Sequence, residues 1–594
     1  MVSIRSTSDF VKLLQSEKEL HVIHDLVDPN LELAEIQRRV VAKKGPALLF
    51  TNVKGTKFPV ATNLYGSEKR IHLAFGPKPV QNIQRLAKLA KEIIPPRFSR
   101  LWKDRSLGLL PFQVGLKRIR GGEILQSDLG ENTDALPKLV SWPEDGGPFV
   151  TLPLVYTQHP KLGSGNLGMY RVQLFGDRTV GMHIQIHRGG GFHYYEAEKE
   201  GQSLPAHVYV GGPPALTIAA VAPLPEEIPE LVFASFLMGE KLRLTEKKSV
   251  SPYPIVSDAD FAIIGKIPPK KRKPEGPFGD HYGYYSLLHD YPYLEISHVL
   301  HRKDAIWAAT VVGRPPQEDH YIAEFLQDLL SPLFPLVMPQ VLGVWAYEES
   351  GVHSLAAAIV KERYFREAFM GALRILGEGQ LSLTKCLMVT NERINLKNFS
   401  ETFKVIVERC DPRTDLFIFS NISQDTLDYT SGTVNKGSKM LFLGITEGEK
   451  EPKFPNLKKS FTESFKDSRF SQPVVFLPGV LVVKGTKFAV DDKLAKYLLN
   501  ENLNGFHYVF LVDDSGDATK SDSDFIWTMF TRMEPASDVH SKTNVYKNHI
   551  SFEPPVVFDC RMKPWIPKVL VPNSETSKSV DQKFQSMIDS LPGG

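Results

Sequence analysis

Glu275 and Asp280 stand five residues apart in Glu275-Gly276-Pro277-Phe278-Gly279-Asp280-His281, with Tyr282-Gly283-Tyr284-Tyr285 directly after. Two carboxylates so spaced can divide acid and base work between them, provided both reach one cleft. Gly276, Pro277 and Gly279 forbid a regular helix and interrupt any long strand, so the spacing predicts a tight loop with an acid at each end. A solvated surface turn is the commoner fate of such a sequence. The neighbouring histidine and the rings of Phe278, Tyr282, Tyr284 and Tyr285 instead suit a partly desolvated site, where carboxylate pKa values move.

Two further clusters carry chemistry. In Met182-His183-Ile184-Gln185-Ile186-His187-Arg188-Gly189-Gly190-Gly191, period-two alternation places His183, Gln185 and His187 on one face. Arg188 and the glycines add a cation and exposed backbone N–H groups, which suit a phosphate. His183, His187 and His193 invite a zinc reading, but no H-E-x-x-H or carboxylate stands at zinc spacing. In Ser164-Gly165-Asn166-Leu167-Gly168-Met169-Tyr170-Arg171, glycines flank an asparagine ahead of a strand. Asparagine, carboxylate and phosphate oxygens together favour a hard ion such as Mg2+ or Mn2+.

The elements that must position these clusters follow from length and pattern. At 594 residues the chain predicts about three or four domains. Its 42% hydrophobic and 23% charged content is that of a soluble globular protein, and a net charge of +3 gives no field suited to nucleic acid. The basic run Lys270–Lys273, between prolines, reads as a solvated linker. Cys386, Cys410 and Cys560 stand alone, and the start lacks a signal-peptide run, so a reducing cytoplasmic compartment is expected. Helical spacing predicts a helix over 8–17, with Phe10, Leu13 and Leu14 on one face, and another carrying Leu33, Ile36 and Val40. Strands are predicted at Ala47–Phe50, Phe58–Thr62, Met169–Phe175, Val180–His187, Ala206–Val210, Leu216–Val221 and Tyr293–His298, then helices at 319–330 and 359–376. An internal repeat links Asn391, Arg409, Pro412 and Asp415 to Asp514, Arg532, Pro535 and Asp538 at equal spacing, which suggests a duplicated α/β unit. The polar end, Ser574–Gly594, is expected to be partly disordered.

Asn166-Leu-Gly-Met-Tyr-Arg171, His187-Arg-Gly-Gly190, Glu230 ahead of Val-Phe-Ala-Ser-Phe-Leu-Met-Gly239, and Glu275 through Tyr285 together resemble the UbiD family of prenylated-FMN decarboxylases. Gly45-Pro-Ala-Leu-Leu-Phe50, Asn63-Leu-Tyr-Gly66 and Gly437-Ser-Lys-Met440 extend the resemblance over some three quarters of the chain. It implies an α+β protein with an N-terminal α/β domain (1–110), a central FMN-binding split β-barrel (111–318), a C-terminal α/β domain (319–470) and an extension resembling a second α/β copy (471–594). Asn166 and Glu230 would hold a divalent metal, Mn2+ or Mg2+, with His187 as candidate third ligand and K+ as a candidate further ion. Met169, Tyr170, Arg171, His183, Ile184, Gln185, His187, Arg188 and Gly189 would line the flavin, and Lys385 would reach its phosphate. Arg171, Glu275 and Asp280 would form the acid–base network, with Asp280 as the proton donor, kept neutral by burial against the pull of Arg171.

The implied activity is non-oxidative decarboxylation of a hydroxylated, prenylated aromatic acid in menaquinone or ubiquinone biosynthesis. A flavin prenyltransferase would supply the cofactor, the lipophilic substrate would bring peripheral membrane contact, and the chain would be a homo-oligomer. The family's acidic D-D-D-V-N-like stretch is eroded here to Thr390-Asn-Glu-Arg-Ile-Asn395. Two rival readings remain: an FMN oxidoreductase on a split barrel, and a catalytically silent scaffold of the same fold.

Overall fold

In the computed structural model, which describes residues 3–92, 110–184, 189–224, 228–446 and 453–593, the chain forms two units: Met1–Leu330 with Val569–Gly594, and Ser331–Lys568. The first unit opens with helix Thr7–Ser16, capped by Ser6, whose hydroxyl accepts from Asp9 N. Helix Glu32–Ala42 buries Leu33, Ile36 and Val40, as the spacing requires. Both lie beside a sheet ordered Leu20–Ile23, Ala47–Phe50, Val60–Thr62, Trp307–Ala308. The expected strand Phe58–Thr62 begins only at Val60; Pro59 has no N–H to give the ladder, though its O accepts from Trp307 N (2.8 Å).

The centre is an antiparallel half-barrel sheet of nine strands among the described residues. Its order is Phe149–Val150, Val172–Leu174, Thr179–Met182, Tyr293–His301, Phe261–Ile267, Leu204–Val210, Pro153–Gln158, Gly165–Gly168, with Ser127–Asp128 pairing the fourth. Val172, Val180, Met182, Val208, Ile263 and Val299 project into one core with the N-terminal helices.

Three strand expectations are corrected here. Leu216–Val221 lies in a helix, Pro214–Val221. Its residues are almost uniformly apolar, a pattern that fits a buried helix as well as a strand, and Pro214 at the first helical position decides the matter. The expected strand Met169–Phe175 is a strand only over Val172–Leu174; Met169–Arg171 link it to the preceding strand, Gly165–Gly168. Val180–His187 ends as a strand at Met182, and Gln185 to Arg188 lie outside the described residues.

The second unit holds two five-stranded sheets with one topology. The first runs Val341–Ala346, Leu355–Val360, Cys386–Thr390, Lys436–Gly444, Leu416–Ser423; the second runs Ser471–Leu477, Val480–Lys484, Tyr508–Val512, His549–Asp559, Val539–Tyr546. In both, the two edge pairings are antiparallel and the two central ones parallel. The repeated proline and aspartate have a physical role: Pro412 and Pro535 open one-turn helices, and Asp415 and Asp538 reach back to accept from Asp411 N (3.1 Å) and Glu534 N (2.8 Å). The helix expected over 359–376 is a strand to Val360 and a helix only over Glu367–Ile375, because Arg366 adopts a left-handed φ of 63° that breaks the run.

The tail is ordered and does not stay with the extension. Val569–Gly594 belongs to the first unit, and Ser574–Ser590 is a helix capped by Asn573, whose side chain accepts from Thr576 N. Val580, Phe584 and Ile588 form a stripe one residue wide, too narrow to register in a composition that is otherwise polar. The stripe packs in the core beside Glu32–Ala42, flanked by Lys583–Glu32 and Arg39–Asp581 ion pairs. Phe584→Ala is therefore expected to lower the first unit's stability by about 3 to 5 kcal/mol. Lys583→Ala, which removes a partly exposed ion pair, should cost less than about 1 kcal/mol; scanning calorimetry of the two variants checks the contrast.

Candidate active site

Glu275 closes the strand Lys273–Glu275, paired with His289–Tyr291. The chain then turns back on itself: Asp280 N donates to Tyr284 O (3.0 Å), Gly283 N to Asp280 O (2.9 Å) and Ser286 N to Phe278 O (2.8 Å). Gly276 sits at φ 94°, a conformation L side chains rarely adopt. At Gly279 a Cβ would lie 2.0 Å from the Trp142 ring. Behind the loop, Gln173 accepts from Gly276 N (2.9 Å) and donates to Gly146 O (2.8 Å). Asp145 accepts from Gly279 N (2.8 Å), Trp142 N (2.9 Å) and Ser141 N (3.0 Å), while burial pushes its carboxyl up to about 6.

The loop aims both acids at Arg171. Its Nε and Nη2 donate to the two oxygens of Glu275 (2.8 and 2.9 Å), Nη1 donates to Asp280 Oδ2 (2.6 Å), and Nη2 also reaches Ser286 Oγ (2.8 Å). The fork-to-fork geometry with Glu275 fixes the guanidinium plane, and the Phe278 ring lies 5.0 Å beneath it. Glu275 is fully buried, and Asp280 and Arg171 are nearly so. Arg171 thus pairs the flanking acids. His183 Nδ1 lies 3.2 Å from Glu275 Oε2, and His281 Nδ1 lies 2.6 Å from Asp280 Oδ1, which also accepts from His281 N (2.7 Å).

Electrostatics set the charge states. Burial raises the Glu275 carboxyl, but the attraction and hydrogen bonds of Arg171 outweigh it and bring the pKa down to about 2. Asp280 is also raised by burial, yet the His281 hydrogen bond and charge, then Arg171, carry it well below the ordinary carboxylate range. The expected neutral Asp280 is therefore not the state of this arrangement: both acids are ionised. His183 is shifted down by burial and by Arg171, so its ring is neutral and, facing an ionised acceptor, donates from Nδ1.

The remaining expected residues fall in three places. Asn166 lies on strand Gly165–Gly168, with Nδ2 3.4 Å from Tyr170 OH, and a Cβ on Gly189 would sit 2.1 Å from its Oδ1. Gly190 N donates to Tyr170 OH (3.3 Å), so the glycines crowd against Asn166 and Tyr170 at the start of helix Gly189–Lys199. Glu230 opens helix Glu230–Met238, is raised by burial, and accepts from Leu167 N (3.0 Å), the residue after Asn166. Oxygen donors from Asn166 and the half-buried carboxylate of Glu230 fit a hard divalent cation. Among the described residues no group of three or more His, Cys, Asp or Glu is placed to hold a metal; His187 lies outside them, as do Gln185 and Arg188. His193 is buried beside His159, shifted down to about 4, with Nδ1 2.9 Å from Thr157 Oγ1. Met169 and Ile184 flank Tyr170 and His183 in the chain, Ile184 fully in the core.

Lys385 lies in the second unit. It is buried within the second unit, where Nζ pairs with Asp428 (2.7 Å) and lies 3.4 Å from Thr430 Oγ1, so its charge is met there. The sequence reading passed over Ser286, Gln173, Asp145 and Trp142. Gln173 was findable, being two residues from Arg171 and so on the same face of the strand expected there; for the other three the sequence carried no signal.

The chain matches the N-terminal domain (11–90), the Rift-related domain (125–315) and the C-terminal domain (320–444) of 3-octaprenyl-4-hydroxybenzoate carboxy-lyase, UbiD. It is 46% identical over 579 residues, 97% of each chain, to a Chlamydia pneumoniae protein named as a subunit of 4-hydroxybenzoate decarboxylase. An uncharacterized protein of Archaeoglobus fulgidus is 35% identical over 74% of this chain and 91% of its own. Among solved structures, vanillic acid decarboxylase of Sedimentibacter hydroxybenzoicus in closed form superposes with a TM-score of 0.65 at 22% identity, covering 78% of this chain and 95% of the other. The UbiD-class enzyme HmfF from Pelotomaculum thermopropionicum, in complex with FMN, gives 0.62 at 21%, covering 77% and 97%. With three of the family's domains in order and a relative matched along nearly its whole length, this chain belongs to the UbiD family of carboxy-lyases.

Proposed function

We propose that the chain is a prenylated-FMN-dependent decarboxylase of aromatic acids, acting on a hydroxylated ring with a prenyl chain in quinone biosynthesis. The observation that carries this reading is the buried Arg171 bridging Glu275 and Asp280 in a site sealed by a glycine-stiffened loop. The names of the matched family and of the Chlamydia relative, both hydroxybenzoate carboxy-lyases, support the substrate class. Leu287 and Leu288, partly exposed directly after Ser286, offer apolar surface to a prenyl tail.

When bound, the modified flavin supplies the electron acceptor that lets an aromatic ring lose CO2 without carrying the charge itself. Met169 to Arg171, His183 to Gln185, Arg188 and Gly189 would surround it, and Asn166 and Glu230 would hold the divalent metal, Mn2+ or Mg2+, against its phosphate. The protein's own work is done on protons. A substrate carboxylate arriving beside ionised Asp280 makes two like charges in a water-poor pocket, and one of them must take up a proton. Glu275, fixed by Arg171 and His183, keeps its charge, so Asp280 is the group that protonates. Asp280 then hands that proton to the ring carbon as CO2 departs. A flavin prenyltransferase as cofactor supplier, a cytoplasmic setting and homo-oligomeric assembly belong to the same reading; among the described residues no helix is long and apolar enough to cross a membrane.

Three measurements test it. Protein co-produced with a flavin prenyltransferase should release, on extraction, a chromophore with the absorption and mass of prenylated FMN; unmodified FMN with a nicotinamide-dependent activity, or no chromophore at all, would overturn the reading. Calorimetric titration in buffers of different ionisation enthalpy should show uptake of about one proton per aromatic acid bound near neutral pH, and none in Asp280→Asn. CO2 release over repeated turnovers should fall by about 10^2 to 10^4 in Asp280→Asn; an unchanged rate would remove Asp280 from its role.

A further inference from the structure

Strand His289–Tyr291 runs antiparallel to Lys273–Glu275, and the register sets His289 opposite Glu275 and Tyr291 opposite Lys273. Opposite residues in such a pair turn their side chains to the same face, with Cβ atoms about 5 Å apart. His289 therefore stands on the face from which Glu275 grips Arg171. Burial follows the alternation: His289 and Tyr291 are half-buried, and Asp290 between them is exposed. The Tyr291 ring centre lies 4.3 Å from that of His183, which is itself held on Glu275, and 6.4 Å from that of His289, edge to face. The three rings and the carboxylate form one row on the acid side of the hairpin.

One atom in that row is unmatched. His289 Nε2 is shut off from solvent and has no hydrogen-bond partner among the described residues. A buried polar atom left so is costly until a ligand or a water meets it. Its surroundings select the chemistry of that group. Glu275, directly opposite, and Asp280 are both ionised against the single charge of Arg171, so a further anion beside His289 is repelled and a neutral hydroxyl is not. An imidazole nitrogen accepts from a phenol O–H or, in the other tautomer, donates to its oxygen, so the two groups satisfy each other either way. The chain leading to His289 joins it to the substrate end of the site: Ser286 Oγ accepts from Arg171 Nη2 (2.8 Å) and from Phe278 N (3.1 Å), and the partly exposed Leu287 and Leu288 follow.

Resting on the decarboxylase reading, we propose that His289 is a specificity-determining residue whose Nε2 pairs with the ring hydroxyl of the aromatic acid. A site built to pair a hydroxyl rejects the analogue that lacks it, because that analogue leaves the buried nitrogen unmet. His289 sorts the substrates by this one bond and takes no part in proton transfer.

Full-length protein, loaded with cofactor by co-production with a flavin prenyltransferase, is titrated calorimetrically with 3,4-dihydroxybenzoate, which offers a hydroxyl at the meta and para positions, and with benzoate, which offers none. The dihydroxy acid is expected to bind about tenfold tighter or more. In His289→Phe that ratio should fall to about one, and His289→Gln, whose amide still pairs with a hydroxyl, should recover part of it. If His289→Phe does not fold, His289→Leu removes the same nitrogen. The same ratio should appear in kcat/KM, carried by KM. A group that only supports the fold would weaken both acids alike and leave the ratio intact. Equal affinity for the two acids in the wild-type protein, or a ratio that survives loss of the imidazole, overturns the role of His289. A loaded wild-type enzyme that binds with the ratio set by His289 but releases CO2 from neither acid overturns the decarboxylase reading instead.

Discussion

A guanidinium taken out of water is the constraint on which the first unit's architecture rests. Burying a charge is tolerable only when partners surround it, and Arg171 has two carboxylates and a hydroxyl. Those partners come from a single loop, so every device that stiffens the loop also stabilises the cation. Gln173 and Asp145 hold its backbone, and Trp142 fills the space that Gly279 leaves. The same cage explains why the two acids differ. Glu275 is gripped on both oxygens, whereas Asp280 meets Arg171 through one oxygen and leaves the other to His281.

How much of this was legible in the sequence depends on whether the signal was local. The loop was legible, because glycine and proline restrict the chain wherever it lies. So was the meeting of Arg171, Glu275 and Asp280, though only through the family resemblance, since on an extended strand nothing says which distant acid an arginine will meet. Ser286, Asp145 and Trp142 were illegible: each acts through a contact made across the fold. Lys385 shows the same limit from the other direction. Nothing beside Lys385 in the sequence names Asp428 as the partner that meets its charge within the second unit.

Secondary structure failed where periodicity was ambiguous. Pro214–Val221 is almost uniformly apolar, so neither period two nor period 3.6 stands out, and only the proline at its first position settles it. The terminal helix failed for the opposite reason, since four apolar residues in seventeen are invisible to composition yet suffice once a neighbouring helix offers a groove. The repeat in the second unit succeeded because its markers are structural: a proline that starts a turn and an aspartate that locks it.

Tyr284 forms a bridge with Val569, and Leu570 N donates to Gly283 O, with Leu570 packed against Trp142 and Tyr285. These partners of the carboxylate loop are encoded after the whole of Ser331–Lys568. On the ribosome, which emits the chain from its N-terminus, the loop is made early and acquires its final neighbours last. A nascent chain stalled anywhere in the second unit carries both acids and their arginine but lacks Val569 and Leu570, which pair with the loop at Tyr284 and Gly283. The last contacts of the carboxylate loop are thereby coupled to synthesis of the whole second unit that precedes them.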